Sequence, residues 1–345
     1  MKALVIGGTR FIGRRLVMEL LARGAQIWIF TRGRAADDLG GRVVRLTGDR
    51  RSADQLRASL GSLSFDAAYD FISYDATDAA GAIEALCGRV EHFIHMSTCS
   101  VYWCAGEFPC PVPEEELDRQ GRFAEQPGSI EYAYGYGKRL AEQALFAAHR
   151  ERGFPVTTIR CPIVGGSDDP SLRHASYCLR VDDGKPVCLP DAGLAPSRQV
   201  HVGDLARALA DLPGRTEAIG EAFNLAGHEI LTVARVVSAM AQLLGRRPDT
   251  VEIPTPVLRG MGLVSREEGN LFSPFSQQAA QVPSIGKARR LLGWRPRPYL
   301  QWLEEVVRGV MDARQRGTLP QPPAYAWRAR EIEAIDRYRK ALATL

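Results

Sequence analysis

The sequence predicts an α/β protein, with a doubly wound parallel sheet followed by a smaller, mixed α/β C-terminal lobe. Three observations carry this prediction. Strand and helix patterns alternate over the first 150 residues, as in parallel sheets joined by crossover helices. The first strand, Lys2 to Ile6, runs into Gly7-Gly8-Thr9-Arg10-Phe11-Ile12-Gly13 and then an apolar-periodic run to Gly24. Polar and glycine residues suited to a ligand recur at the carboxyl ends of successive strands, where open α/β sheets bind.

The glycine turn comes first. Gly7, Gly8 and Gly13 permit a tight turn and close backbone approach, so the N–H groups of this segment, including Thr9, Arg10, Phe11 and Ile12, can face a pyrophosphate at a helix N-terminus. The second strand, Gln26 to Phe30, leads to Thr31-Arg32-Gly33-Arg34. An acidic residue here binds the ribose 2′-OH of NAD, whereas Arg accommodates a 2′-phosphate. No Asp or Glu occurs before Asp37, so Arg32, helped by Arg34 and Arg10, favours NADP over NAD. The third strand, Val43 to Thr47, ends in Gly48-Asp49, and Asp49 is placed at the adenine end of the site. A helix over Ser52 to Leu60, a strand over Ala67 to Ile72 and a helix over Asp75 to Cys87 follow.

The fifth strand, His92 to Met96, enters Ser97-Thr98-Cys99-Ser100-Val101-Tyr102. A long loop then reaches Tyr132-Ala133-Tyr134-Gly135-Tyr136-Gly137-Lys138 and a helical run over Arg139 to Arg150. The sixth strand, Val156 to Arg160, opens into Cys161-Pro162-Ile163, and Pro162 and Ile163 are assigned to the cofactor crevice. Beyond it, short strands (Pro186 to Leu189, Gln199 to Val202, Ala222 to Leu225) mix with helices (Pro170 to Asp182, Gly203 to Leu212, Thr232 to Leu244, Leu300 to Arg314). The chain therefore divides into a dinucleotide-binding domain at 1–165, with segments around 199–228 returning to it, and a substrate lobe at 166–315. The stretch 316–345 is a charged helical extension that packs on this chain or on a neighbouring subunit.

Composition narrows the function classes. In 345 residues, 45% hydrophobic and 24% charged content is that of an ordinary globular protein. A net charge of +4 from 44 basic and 40 acidic residues, dispersed along the chain, argues against nucleic acid as a partner. No run reaches the roughly 18 apolar residues of a membrane span and the first strand starts at once, so a cytoplasmic protein is expected. Seven cysteines without a Cys-x-x-Cys pair fit reduced thiols, and no metal site is expected.

Tyr134 and Lys138 lie four apart on one helix face. An adjacent ammonium and an oxidised nicotinamide both favour phenolate, so Tyr134 can exchange a proton with a carbinol or alkoxide while hydride moves. Lys138 also holds the nicotinamide ribose, and Thr98 orients the substrate oxygen. With ten Tyr and five Lys, chance supplies this spacing about 0.14 times per chain.

The glycine turn GGTRFIG, Ser97-Thr98 before Val101-Tyr102, Tyr134-x-x-x-Lys138, Arg160-Cys161-Pro162 and His201-Val202-x-Asp204 together resemble the extended short-chain dehydrogenase/reductase superfamily, nearest to the NAD-dependent epimerase/dehydratases. Lys287-Ala288-Arg289-Arg290-Leu291-Leu292-Gly293-Trp294 is similar to that family's C-terminal helix. The resemblance implies a Rossmann sheet, a nucleotide-sugar-like substrate, a homodimer, and the roles given above for Thr98, Tyr134 and Lys138. Departures shape the expectation. Cys99-Ser100 replaces the Asp-Glu of 4,6-dehydratases, so dehydration is disfavoured and Cys99 is assigned to substrate. Where the resemblance implies a phosphate-contacting Arg, four residues before His201, stands Ser197; either Arg198 takes the role through a one-residue shift of the loop, or the substrate is not a sugar nucleotide. Trp103 stands where Gly is usual and narrows the pocket; His201 is read as structural. GGTRFIG with Thr31-Arg32-Gly33 also resembles a branch that includes chloroplast stem-loop RNA-binding proteins. The expected activity is an NAD(P)-dependent reductase or epimerase acting at a secondary alcohol or ketone; the alternative is a catalytically vestigial RNA- or partner-binding protein.

Overall fold

β1 (Lys2–Ile6) lies inside a seven-stranded parallel sheet with β2 (Gln26–Thr31) and β3 (Val44–Thr47) on one side. On the other side lie β4 (Ala67–Asp70), β5 (Phe93–Thr98), β6 (Val156–Cys161) and, from far along the chain, β11 (Ala222–Asn224). This computed structural model describes residues 1–104, 108–117, 130–265, 269–270, 272–276 and 282–344. The chain reverses direction across the sheet between β1 and β4, which opens a crevice at the carboxyl ends of those strands.

Alternation along the strands fills two cores. Ala3 and Val5 of β1 face α1 (Phe11–Ala22), whereas Leu4 and Ile6 join Phe30, Ala68 and Phe93 on the opposite face. That second face is covered by α2 (Ala53–Leu60), α3 (Ala76–Leu86) and α4 (Ile130–Arg152). α4 starts well before the expected Arg139. Its glycines and aromatics hide the helical period in the sequence, and the reason for Gly137 is tertiary: a Cβ there would lie 2.5 Å from the Tyr74 carbonyl oxygen.

The segments around 199–228 return only in part. β11 joins the sheet beside β6, and α6 (Val202–Ala210) packs on α1. β10 (Gln199–His201) instead pairs with β7 (Ile163–Gly165) in a separate ladder, because Pro162 interrupts the strand that leaves β6.

The second lobe is built on α5 (Arg173–Asp182), β8 (Val187–Pro190), α7 (Val233–Leu243), β13 (Thr250–Ile253) and α10 (Tyr299–Gln315); β8 and β13 pair in parallel. α9 (Gly286–Leu292) lies beside β11. α11 (Arg328–Leu342) packs on this chain, with Ala334 and Ile335 in an apolar cluster and Glu331 bonded to Arg180 of α5 at 2.5 Å, both fully buried. Among the described residues no helix is long and apolar enough to cross a membrane.

Candidate functional site

The crevice begins at the glycine turn. Gly7 has φ +90, and a Cβ on Gly13 would sit 2.5 Å from the Gly7 carbonyl oxygen, so both positions need glycine. Phe11 enters α1 at φ +40, a strained value for an aromatic residue. The Arg10 side chain makes no N-cap bond, which leaves the first N–H groups of α1 facing outward from the turn.

Arg10 in this turn and Arg32 and Arg34 after β2 are exposed, with no carboxylate partner among the described residues. The first acidic residues after β2 are engaged. Asp37 accepts both Nη groups of Arg45, and Asp38 accepts Arg14, which holds its carboxyl at about 2. Asp49 follows β3, where its Oδ1 accepts the Arg51 amide at 3.0 Å and its own amide donates to Gln55.

Thr98, Tyr134 and Lys138 converge where β5 ends under the first turns of α4. The Tyr134 phenol and the Thr98 hydroxyl are hydrogen-bonded, and the Ser100 amide donates to Thr98 Oγ1 at 3.1 Å. Tyr134 is 41% exposed, but its hydroxyl end is desolvated, which raises its pKa; Cys161 adds to the rise, and Thr98 opposes it. Lys138 is 2% exposed. Its Nζ donates to the Met96 carbonyl at 2.7 Å and lies 4.9 Å from the centre of the Tyr74 ring. Burial lowers its pKa to about 8, with Asp70 opposing. Tyr136 stacks on Tyr132 instead.

Two side chains were missed by sequence reasoning. Tyr74, in the loop after β4, tilts against Tyr134 at 6.4 Å between ring centres. Behind it Arg50 is buried against Asp70 and donates to the Asp78 carbonyl at 2.5 Å, while Asp78 accepts the Tyr74 amide at 2.8 Å. The signal available was Ser73-Tyr74-Asp75 at a strand's carboxyl end with an Asp N-cap, here bonded to the Asp78 amide.

The expected substrate residues fall differently. Cys99 is 1% exposed and packs with Val101, Tyr102, Val112 and Leu117; this apolar packing removes its thiol from any ligand surface, correcting its assignment to substrate. Arg198, also largely buried, donates to the Gly227 and His228 carbonyls and has no carboxylate partner among the described residues. Pro162 is buried, and Ile163 packs toward the second lobe. His201 caps α6 through the Gly203 amide, and burial with Arg297 beside it lowers its pKa to about 4. The Trp103 side chain lies outside the described residues.

The sequence profile of the NAD dependent epimerase/dehydratase family matches residues 3–226, from β1 through β11. The chain belongs to this family. Among individual relatives, the chloroplast stem-loop binding protein of 41 kDa b of Arabidopsis thaliana is 28% identical over 326 residues, 90% of this chain and 78% of that protein. Two solved structures share the fold of the family. The UDP-glucose 4-epimerase of Thermotoga maritima with UDP-glucose superposes at TM-score 0.72 with 19% identity, covering 91% of this chain and 99% of that one. The UDP-glucose 4-epimerase of Thermus thermophilus with NAD gives 0.66 and 21%, covering 91% and 100%.

Proposed function

We propose that the protein is an NADP-preferring reductase or epimerase that works at a secondary alcohol or ketone of a nucleotide-sugar-like substrate. The convergence of Thr98, Tyr134 and Lys138 beside the glycine turn carries this reading. The residues fit a dinucleotide: the turn at Gly7 and Gly13 leaves no room for side chains where the backbone must approach a pyrophosphate, and Arg10, Arg32 and Arg34 offer unpaired cations for a 2′-phosphate. The bound dinucleotide supplies the hydride acceptor and donor.

The chain's own groups handle the proton. Thr98 shares the substrate oxygen with Tyr134 and fixes its orientation. Tyr134, pushed up by desolvation, takes the carbinol proton in oxidation and returns it to the alkoxide in reduction. Lys138 has donors left after Met96, enough to hold a ribose hydroxyl and support phenolate through its charge. Cys99-Ser100 leaves Thr98 without the following Asp-Glu that dehydratases use, which favours reduction or epimerisation. Arg198 is the cation available to a substrate phosphate. Helices flanking the sheet pair two copies in this reading, and the protein works in the cytoplasm.

The Arabidopsis relative supports a second reading, in which the same fold binds RNA or a partner with the pocket vestigial. Nucleotide released on denaturation, followed by NADPH and NADH titration of the empty protein, separates these readings. Tight NADPH binding with turnover lost in Tyr134→Phe is the expected result. Stoichiometric NAD retained through purification points to an epimerase and overturns the NADP preference, and binding of neither nucleotide leaves the non-enzymatic reading.

A further inference from the structure

The sheet face beneath α4 carries a polar layer that the chemistry above does not use. Asp70, His95 and Thr158 are register partners across β4, β5 and β6, so their side chains stand in a row about 5 Å apart on the face that α3 and α4 cover. Ser97 and Arg160 form the next row; Arg160 is taken up by Glu142, Tyr102 and the Glu114 carbonyl. Lys138 reaches this layer from above, its Nζ on the carbonyl of Met96, between His95 and Ser97 in the strand. Arg50 enters from the side, held by Asp70 and Asp78.

Every member is buried, yet both ring nitrogens of His95, the hydroxyls of Thr158 and Ser97 and Nε of Arg50 have no hydrogen-bond partner among the described residues. Buried polar atoms in native proteins are paired with protein or with internal water, and a water needs two to four such neighbours. An apolar side chain at 95 would satisfy the fold at lower cost, so the imidazole has another use. Asp70, the nearest carboxylate across the sheet, is occupied by Arg50, and Lys138 contacts no carboxylate among the described residues.

We propose that His95 is a positioning residue for Lys138: its neutral imidazole, bridged by internal water with Thr158, takes the second of the ammonium's three hydrogen bonds, leaves the third for the crevice, and keeps the group charged. The proposal rests on the reading of Lys138 as the lysine of the site. The groups that face this ammonium are Asp70 from β4, Arg50 from the loop after β3, Tyr74 before α3, Glu142 from α4 and Cys161 from β6. Burial, Lys138 and Arg50 together hold His95 neutral, so one ring nitrogen donates while the other accepts.

The chain has five lysines, so an ε-13C-lysine NMR titration of the whole protein without nucleotide resolves Lys138, assigned by its loss in Lys138→Arg. In His95→Leu the Lys138 midpoint is expected to fall by about one pH unit, a tenfold loss of proton affinity. In His95→Gln, which keeps hydrogen-bonding atoms, it stays near the wild-type value. Thr158→Val shifts it the same way by less, and decides the matter if His95→Leu does not fold. An unchanged or raised midpoint in the folded apolar variant overturns the proposal, because a merely structural histidine alters melting temperature and leaves Lys138 alone. Turnover plays no part in this readout, so an inactive protein with a shifted Lys138 would count against the proposed activity and not against His95.

Discussion

A single lysine shows how closely the fold is set around this crevice. Lys138 is charged at neutral pH at a cost, since burial brings it from 10.5 to about 8. A depressed lysine pKa means that the unfolded chain binds the proton more tightly, so this penalty applies fully below pH 8 and disappears as pH rises through 10.5. Lys138→Met should therefore be more stable than wild type near pH 7, on the order of 2–3 kcal/mol, with the difference closing by pH 10.5. Chemical denaturation of both proteins across that range measures it; a difference independent of pH would sink the assignment. Gly137→Ala places a methyl against the Tyr74 carbonyl and should cost about 1–3 kcal/mol while misaligning Tyr134. Arg32→Ala should weaken NADPH binding about tenfold or more and leave NADH binding nearly unchanged, which isothermal titration would report.

Among the elements, legibility followed the range of the interactions. The parallel strands were readable because they are buried runs bounded by Gly, Pro and polar turns. The glycine turn was readable because its geometry depends on a few adjacent residues. The start of α4 was hidden, since Gly135 and Gly137 lower helix propensity and only contact with the Tyr74 segment explains the second of them. Tyr74 and Arg50 were hidden because their partners lie in other strands and helices. Cys99 was misread as a ligand group because sequence adjacency to Thr98 says nothing about which way a side chain points after the strand ends. For α11 the sequence left two docking surfaces open, and the deciding contact, Arg180 with Glu331, spans 151 residues. Glu331→Ala strands a buried guanidinium and should cost about 3–5 kcal/mol in urea unfolding. Arg180→Met combined with Glu331→Leu should recover most of that loss.

For the molecule as a whole, ligand linkage gives a test that needs no substrate. NADPH at about 100 times its dissociation constant should add roughly 2.7 kcal/mol to stability, and NADH at the same concentration distinctly less. Equal shifts would show that the arginines around Gly33 do not read the 2′-phosphate.

The return of β11 and α6 to the first lobe has a consequence for modularity. A fragment ending at 165 would leave β6 as a bare, unpaired sheet edge and strip the cover from α1, where Leu205 and Leu209 now pack. Such a piece should be found in inclusion bodies, while the uninterrupted chain stays dispersed. The two lobes are thus threaded through one another, and neither can be grafted, shuffled or inherited without the other.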